Sequence, residues 1–172
     1  MSKRLLLMRH AKSDWPEAIA ADFERPLNPR GRRTAPQMGG WLERESLVPE
    51  VILCSSAVRT QQTVAGLQAG WSARPVVLPS RSLYLAAPEA IRDVIRSDAG
   101  DAASVLVVAH NPGIGMLVEQ LGGWTNGFPT AALAVFDFPI ERWSDWLPGT
   151  EAACITIVHP KELARQGRFE VR

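Results

Sequence analysis

Short apolar runs alternate along this chain with stretches whose apolar residues recur at helical spacing. That alternation predicts a three-layer α/β/α sandwich with a mostly parallel central sheet of about six strands. Two further observations agree. The strongest apolar runs stop abruptly at basic or polar residues, as strands covered on both faces do where they leave a sheet. Several helical stretches open on Asn-Pro or on a proline followed by Glu, the residues that favour a helix start.

Composition sets the outer bounds. A chain of 172 residues, with 46% hydrophobic and 22% charged side chains, suits one soluble domain spanning residues 1–172 and can bury a substantial core. Its 19 basic residues against 18 acidic give a net charge of +1, so no global field favours nucleic acid or an acidic membrane. Any anion selectivity must be local. The N-terminal residues lack the apolar core of a signal peptide, and no apolar run approaches a membrane span, so a cytoplasmic protein is expected. Cys54 and Cys154 each fall inside an apolar run without paired spacing and are expected as buried thiols. Among the six tryptophans, Trp71, Trp124, Trp143 and Trp146 read as packing and loop-pinning residues.

In chain order, Leu5-Leu6-Leu7-Met8 is a buried strand that ends on Arg9-His10. A polar loop follows, Ala11 to Pro16, in which Lys12 or Ser13 could face an anion. Asn28-Pro29 reads as a cap and first helical residue, and Ala35, Met38, Trp41 and Leu42 continue at helical spacing. Pro36 should distort or interrupt that helix. Val51 to Ser55 is the second buried strand. Beyond it Ala57, Thr60, Val64, Leu67 and Trp71 share a helical face, with Ser56 as its expected cap.

Arg59 then falls in the first turn of a helix, where the dipole already presents positive potential. A bound anion would resolve that conflict. Pro75 to Pro79 is a short third strand, whereas Ser80 to Leu85 has no clear assignment. Pro88 and Glu89 open a helix whose apolar face is Ile91, Val94 and Ile95. Ser104 to Ala109, apolar almost throughout, is the central strand, and it ends on His110. Asn111-Pro112-Gly113 again reads as a cap and helix start, leading into Ile114, Leu117, Val118 and Leu121. The segment from Gly122 to Pro129 is a loop that could fold over the sheet edge. Ala131 to Phe138 and Ala152 to Val158 are two more strands, of undetermined direction.

Strand-to-helix junctions therefore place His10, Arg59 and His110 along one edge of the sheet, where open α/β sheets bind ligands. An imidazole beside guanidinium groups suits phosphate chemistry. His159, after the last strand and without an evident partner, reads as structural or surface.

The strings Arg9-His10-Ala11-Lys12-Ser13, Ser55-Ser56-Ala57-Val58-Arg59-Thr60-Gln61-Gln62-Thr63 and Val107-Val108-Ala109-His110-Asn111-Pro112-Gly113 resemble the motifs of the histidine phosphatase, or phosphoglycerate-mutase-like, superfamily. The short chain and the His-Asn-Pro ending resemble its SixA-like branch, whose best-known members dephosphorylate phosphohistidine proteins. The resemblance covers nearly the whole chain in the right order. It implies that His10 is the nucleophile taking the phosphoryl group, that Arg9 and Arg59 clamp it, and that His110 is an electrostatic partner of the transferred oxygens. Arg25 resembles an arginine of SixA-like sequences and is a candidate substrate ligand. No cofactor and no metal are implied. The substrate would be a phosphorylated protein carrying phosphohistidine, or a small phosphoester.

Two departures from that pattern matter. The usual Arg-His-Gly is here Arg9-His10-Ala11, which keeps the turn from adopting positive φ routinely. Many relatives also carry a Glu after the third strand to protonate the leaving group, and here Ser80-Arg81-Ser82-Leu83-Tyr84 holds no carboxylate. Asp14, Asp22 and Glu89 are the substitutes on offer. A missing acid matters least for a leaving group that departs easily, which favours phosphohistidine or another phosphoramidate over sugar phosphates. The alternatives are a non-catalytic phosphate- or phosphoprotein-binding module and a small-molecule phosphomonoesterase of the same fold.

Overall fold

In the computed structural model, which describes residues 2–18, 21–122 and 126–169, the apolar runs form one six-stranded sheet ordered β3-β2-β4-β1-β5-β6. Here β1 is Lys3–Arg9, β2 Val51–Ser55, β3 Val76–Ser80, β4 Ser104–Ala109, β5 Leu133–Phe138 and β6 Ala153–Val158. The first four are parallel, β5 runs antiparallel to β1, and β6 antiparallel to β5. The directions that the sequence left open are thus settled by pairing.

Side chains alternate across the sheet as pleating requires. Leu5 and Leu7 face α3 (Pro88–Asp98) and α4 (Gly113–Gly122), packing with Ile91, Ile95, Ile114 and Val118. Leu6 and Met8 face the opposite layer of α1 (Pro29–Arg44), α2 (Val58–Gln68) and α5 (Pro160–Arg165), with Met38, Leu42, Leu67 and Leu163. All four of these β1 side chains are fully buried. Two cores therefore clamp β1 and β4 in the middle of the sheet. Their carboxyl ends are held where the functional residues emerge.

Pro36 does not interrupt α1, which is helical from Pro29 to Arg44. Close packing on α2 overrides the lost hydrogen bond. A Cβ on Gly66 would come within 2.7 Å of Ala35 Cβ, and one on Gly39 within 2.1 Å of the Leu67 carbonyl oxygen. The indole of Trp71 adds a bond from Nε1 to the Gly39 carbonyl at 2.8 Å.

Asn28 caps α1 as expected, accepting from the Gly31 N–H at 2.8 Å. Ser56 does not cap α2: Ala57 holds the cap position, and its N–H is met by Ser55 Oγ at 3.3 Å. Asn111 is not a cap either. The Asn111-Pro112 peptide is cis, α4 starts at Gly113, and Asn111 Nδ2 instead donates to the Phe128 carbonyl at 2.9 Å.

Cys54 is buried, but Cys154 is exposed because β6 is an edge strand whose first three residues are left open to solvent. Helix α5 has no counterpart in the sequence reading, although Pro160 at its first position and Glu162 in its first turn are start signals. His159 precedes it and lies 3.7 Å from Glu162, so it does have an acidic neighbour. Trp143 and Trp146 pack on Phe138, with ring centroids at 6.3 and 4.6 Å, and Trp143 Nε1 donates to the Ala102 carbonyl at 2.8 Å. Trp124 lies outside the described residues.

Candidate active site

The order β2-β4-β1 puts three chain crossings side by side, and each delivers one side chain. His10 follows β1 directly, its N–H donating to the Ala109 carbonyl at 3.1 Å, so the ladder with β4 extends one residue past the strand. The Ala131 N–H closes the other side, reaching the Arg9 and His10 carbonyls at 3.0 and 3.1 Å from a left-handed backbone with φ of 60°. Ala11 is fully buried and is not among the positive-φ residues, so the Ala in place of Gly is accommodated without backbone strain. His110 follows β4, and Arg59 occupies the first turn of α2.

These residues meet. His10 is 5% exposed, Arg59 2% and His110 1%. Arg59 Nε donates to His10 Nε2 at 3.3 Å, and Arg59 Nη2 lies 3.1 Å from His110 Nδ1. The two imidazoles are tilted, with centroids 5.3 Å apart.

Hydrogen-bond logic fixes both tautomers. His10 Nδ1 lies 2.7 Å from the Ala11 carbonyl, which can only accept; Nδ1 therefore carries the hydrogen and Nε2 the lone pair. A guanidinium can only donate, so His110 Nδ1 accepts from Arg59 and its Nε2 hydrogen goes to Ser55 Oγ at 2.8 Å. Burial, reinforced by Arg59, Arg9 and Arg25, pushes the His10 pKa down to about 4. Burial and then Arg59 push that of His110 down to about 3. Both rings are neutral at physiological pH. Desolvation, more than the cationic neighbours, is what keeps them so.

Arg9 and Arg25 are brought to the same place. Arg9 Nη1 donates to the Phe128 carbonyl at 3.2 Å, while its buried Nε has no hydrogen-bond partner. Burial, then Arg25 and Arg59, lowers its pKa from the usual value. Arg25 Nη2 donates to Ser13 Oγ at 3.0 Å, and its guanidinium lies 5.3 Å from the Trp15 ring centroid. The Arg25 Nε is 3.2 Å from Asp22 Oδ1, close enough for ion pairing but not aligned as a hydrogen bond. Lys12 is exposed.

Of the three carboxylates considered, only Asp22 reaches the site. It accepts from Arg59 Nη2 at 3.0 Å through Oδ2 and from Arg59 Nη1 at 2.6 Å through its backbone carbonyl. Asp14 accepts from Asn28 at an exposed position, and Glu89 is exposed in the first turn of α3.

Three site residues escaped the sequence reading. Tyr84 sits edge-on to His110, with centroids 5.4 Å apart, and its hydroxyl donates to Asp22 Oδ2 at 2.6 Å. Ser55 orients His110. Thr63 Oγ1 donates to the Arg59 carbonyl at 2.7 Å and accepts from the Ala11 N–H at 3.0 Å, tying the turn after His10 to α2. Thr63 is one helical turn beyond Arg59, a spacing visible in the sequence. Tyr84 carried no such signal. A separate cavity of about 410 Å³, lined by Leu117, Leu121 and Trp146, includes none of these side chains.

Comparison with known proteins agrees with this geometry. The family description "Histidine phosphatase superfamily (branch 1)" matches residues 5–80. An uncharacterised protein of Mycobacterium tuberculosis is 35% identical over 156 residues, covering 84% of this chain and 95% of that protein. The chain belongs to the histidine phosphatase superfamily. Within the superfamily, its likeness runs to the SixA-like branch. A structure described as a SixA phosphohistidine phosphatase from Agrobacterium tumefaciens superposes with a TM-score of 0.77 at 27% identity, over 92% of this chain and 99% of that one. Another so described, from Nakamurella multipartitia, gives 0.76 at 29% identity over 93% and 97%. This histidine phosphatase is accordingly a hydrolase with the superfamily's phosphatase activity. Among its described residues, no group of three or more His, Cys, Asp or Glu side chains is placed to hold a metal ion, and no helix is long and apolar enough to cross a membrane.

Proposed function

We propose that this chain, acting as one histidine phosphatase domain, hydrolyses a phosphoramidate, foremost phosphohistidine on a protein, through a covalent intermediate on His10. The observation that carries the reading is the lone pair on His10 Nε2, held 3.3 Å from the Arg59 guanidinium in a buried site where Arg9 and Arg25 also act on the ring. A neutral imidazole is the attacking form, and converging guanidiniums neutralise phosphoryl charge as it passes in line.

In the first step Arg59 Nε gives up its bond to Nε2, and the freed lone pair forms a bond to phosphorus as the bond to the leaving group breaks. A leaving imidazole protonated on its ring departs as a neutral base. In the second step water attacks the phosphorus of phosphohistidine 10, the P–N bond breaks, and inorganic phosphate leaves. Arg9, with its unpartnered Nε, and Arg59 clamp the phosphoryl oxygens, and Arg25 contacts substrate. His110, held on Arg59 Nη2 through its Nδ1, stands beside the same oxygens as their electrostatic partner.

Leaving-group chemistry supports the phosphoramidate over an alkyl phosphate. The stretch from Ser80, which ends β3, to Tyr84 holds no carboxylate, and Asp22 is held as an anion: burial would raise its pKa, but the bonds from Tyr84 and Arg59 outweigh this and lower it. We place the protein in the cytoplasm, a setting that suits its two free cysteines.

The test compares wild type and His10→Ala on p-nitrophenyl phosphate and on a phosphohistidine protein. Turnover of both by wild type, trapping of phosphate on His10 and loss of both activities in the variant are expected. Turnover that survives in His10→Ala would sink the assigned nucleophile. Phosphate binding without turnover of either substrate would instead make the chain a binding module.

A further inference from the structure

In this structure a carboxylate of the chain itself sits among the arginines assigned to the phosphoryl group. Asp22 Oδ2 accepts from Arg59 Nη2 at 3.0 Å and from the Tyr84 hydroxyl at 2.6 Å, while Oδ1 lies 3.2 Å from Arg25 Nε. We propose that the Asp22 side chain is an intramolecular competitor for the oxyanion site, occupying Arg59 and Arg25 until a phosphoryl group displaces it, with Tyr84 setting how readily it leaves. The proposal rests on the reading of Arg59 as a phosphoryl ligand.

Counting donors leads there. Arg59 gives Nε to His10, one Nη1 hydrogen to the Asp22 carbonyl, and its two Nη2 hydrogens to His110 Nδ1 and Asp22 Oδ2. The second Nη1 hydrogen can meet one phosphoryl oxygen, but a two-pronged contact through Nη1 and Nη2 must take the place of one of the last two. The imidazole is fixed from behind by Ser55 and almost wholly buried, whereas the Asp22 side chain is 34% exposed and can turn out to solvent. The carboxylate is the partner that yields.

Asp22 also resembles the ligand it would give way to, since both present anionic oxygens to guanidinium forks. Tyr84 is held by edge contacts to His110 and to Phe23, the latter with centroids 5.0 Å apart, so its hydroxyl is aimed at the carboxylate and favours the occupied state. The backbone carbonyl of Asp22 stays on Arg59 Nη1 whatever the side chain does. The loop can therefore keep the guanidinium aimed while its carboxylate exchanges.

Asp22→Asn removes the competing charge and retains that carbonyl bond. Titration calorimetry with inorganic phosphate at one fixed pH should show about tenfold tighter binding to Asp22→Asn than to wild type. Tyr84→Phe, which loosens the carboxylate without removing it, should fall between the two. With p-nitrophenyl phosphate, Asp22→Asn should lower KM without raising kcat. Unchanged or weaker phosphate binding in both variants, with wild type still binding, would overturn the competitor role and make Asp22 a positioning residue for Arg59. Phosphate binding by Arg59→Ala as tight as by wild type would overturn the underlying site assignment, and the competitor role with it.

Discussion

Arg59 and His10 are joined by a single hydrogen bond, from the guanidinium Nε to the imidazole Nε2 across 3.3 Å. The proposed nucleophilic atom and the proposed clamp are therefore aligned through one contact. A lysine at position 59 would keep a positive charge but not the planar fork that reaches His10, His110 and Asp22 at once. Arg59→Lys is expected to lower kcat/KM by about 10²- to 10³-fold, the cost of losing one oriented donor to a developing oxyanion. Near-wild-type kinetics in that variant would show that orientation at Arg59 contributes little.

Thr63 ties the turn after His10 to α2 through the Ala11 N–H at 3.0 Å. Thr63→Val preserves shape and strands that buried donor, which should cost about 1–3 kcal/mol of stability. The variant should also lose activity beyond what its remaining folded fraction explains, because the backbone beside His10 would no longer be held. Urea unfolding and kinetics on the same preparation separate the two effects.

Stability should depend on pH through the buried histidines. The folded-state values of about 4 for His10 and about 3 for His110 lie below the unfolded value of about 6.5. Between those limits the unfolded chain binds more protons, so the folding free energy falls as pH drops from about 6.5 toward about 4 and then 3. Above about pH 7 both states carry neutral rings, and this contribution is fully present. Urea midpoints measured from pH 7.5 down to pH 4 should decline, and less steeply in a folded His110→Asn variant. Equal slopes in the two proteins would show that His110 is not buried in its neutral form.

Neighbouring glycines in α1 should respond oppositely to alanine. At Gly39 a Cβ would meet the Leu67 carbonyl oxygen at 2.1 Å, so Gly39→Ala must push α1 off α2 at a cost of about 1–3 kcal/mol or more. At Gly40 the nearest atom to a new Cβ is Arg44 Nη1, the far end of a long side chain, at 3.4 Å, and Gly40→Ala should stabilise by about 0.5–1 kcal/mol. Thermal melting of both variants checks the pair.

The layers and the strand ends were legible in the sequence because they rest on local signals: the period of apolar residues and the abrupt switch to His or Arg at three junctions. Those switches are enough to put His10, Arg59 and His110 on one edge. What was illegible depends on contacts between distant segments. Pro36 reads as a helix breaker until the glycines at 39 and 66 show how closely α2 packs against α1. Cys154 reads as buried until β6 proves to be an edge strand. Tyr84 and Asp22 lie 62 residues apart and meet only because β3 and the loop after β1 end at the same edge.

Tyr84 has one more consequence, because it is the chain's single tyrosine. Its ring lies against His110 and its hydroxyl on Asp22, so biosynthetic fluorotyrosine would install one fluorine label at the pocket and nowhere else. One resonance would then report what the phenol touches as phosphate is added, and the protein carries its own spectroscopic gauge of anion arrival.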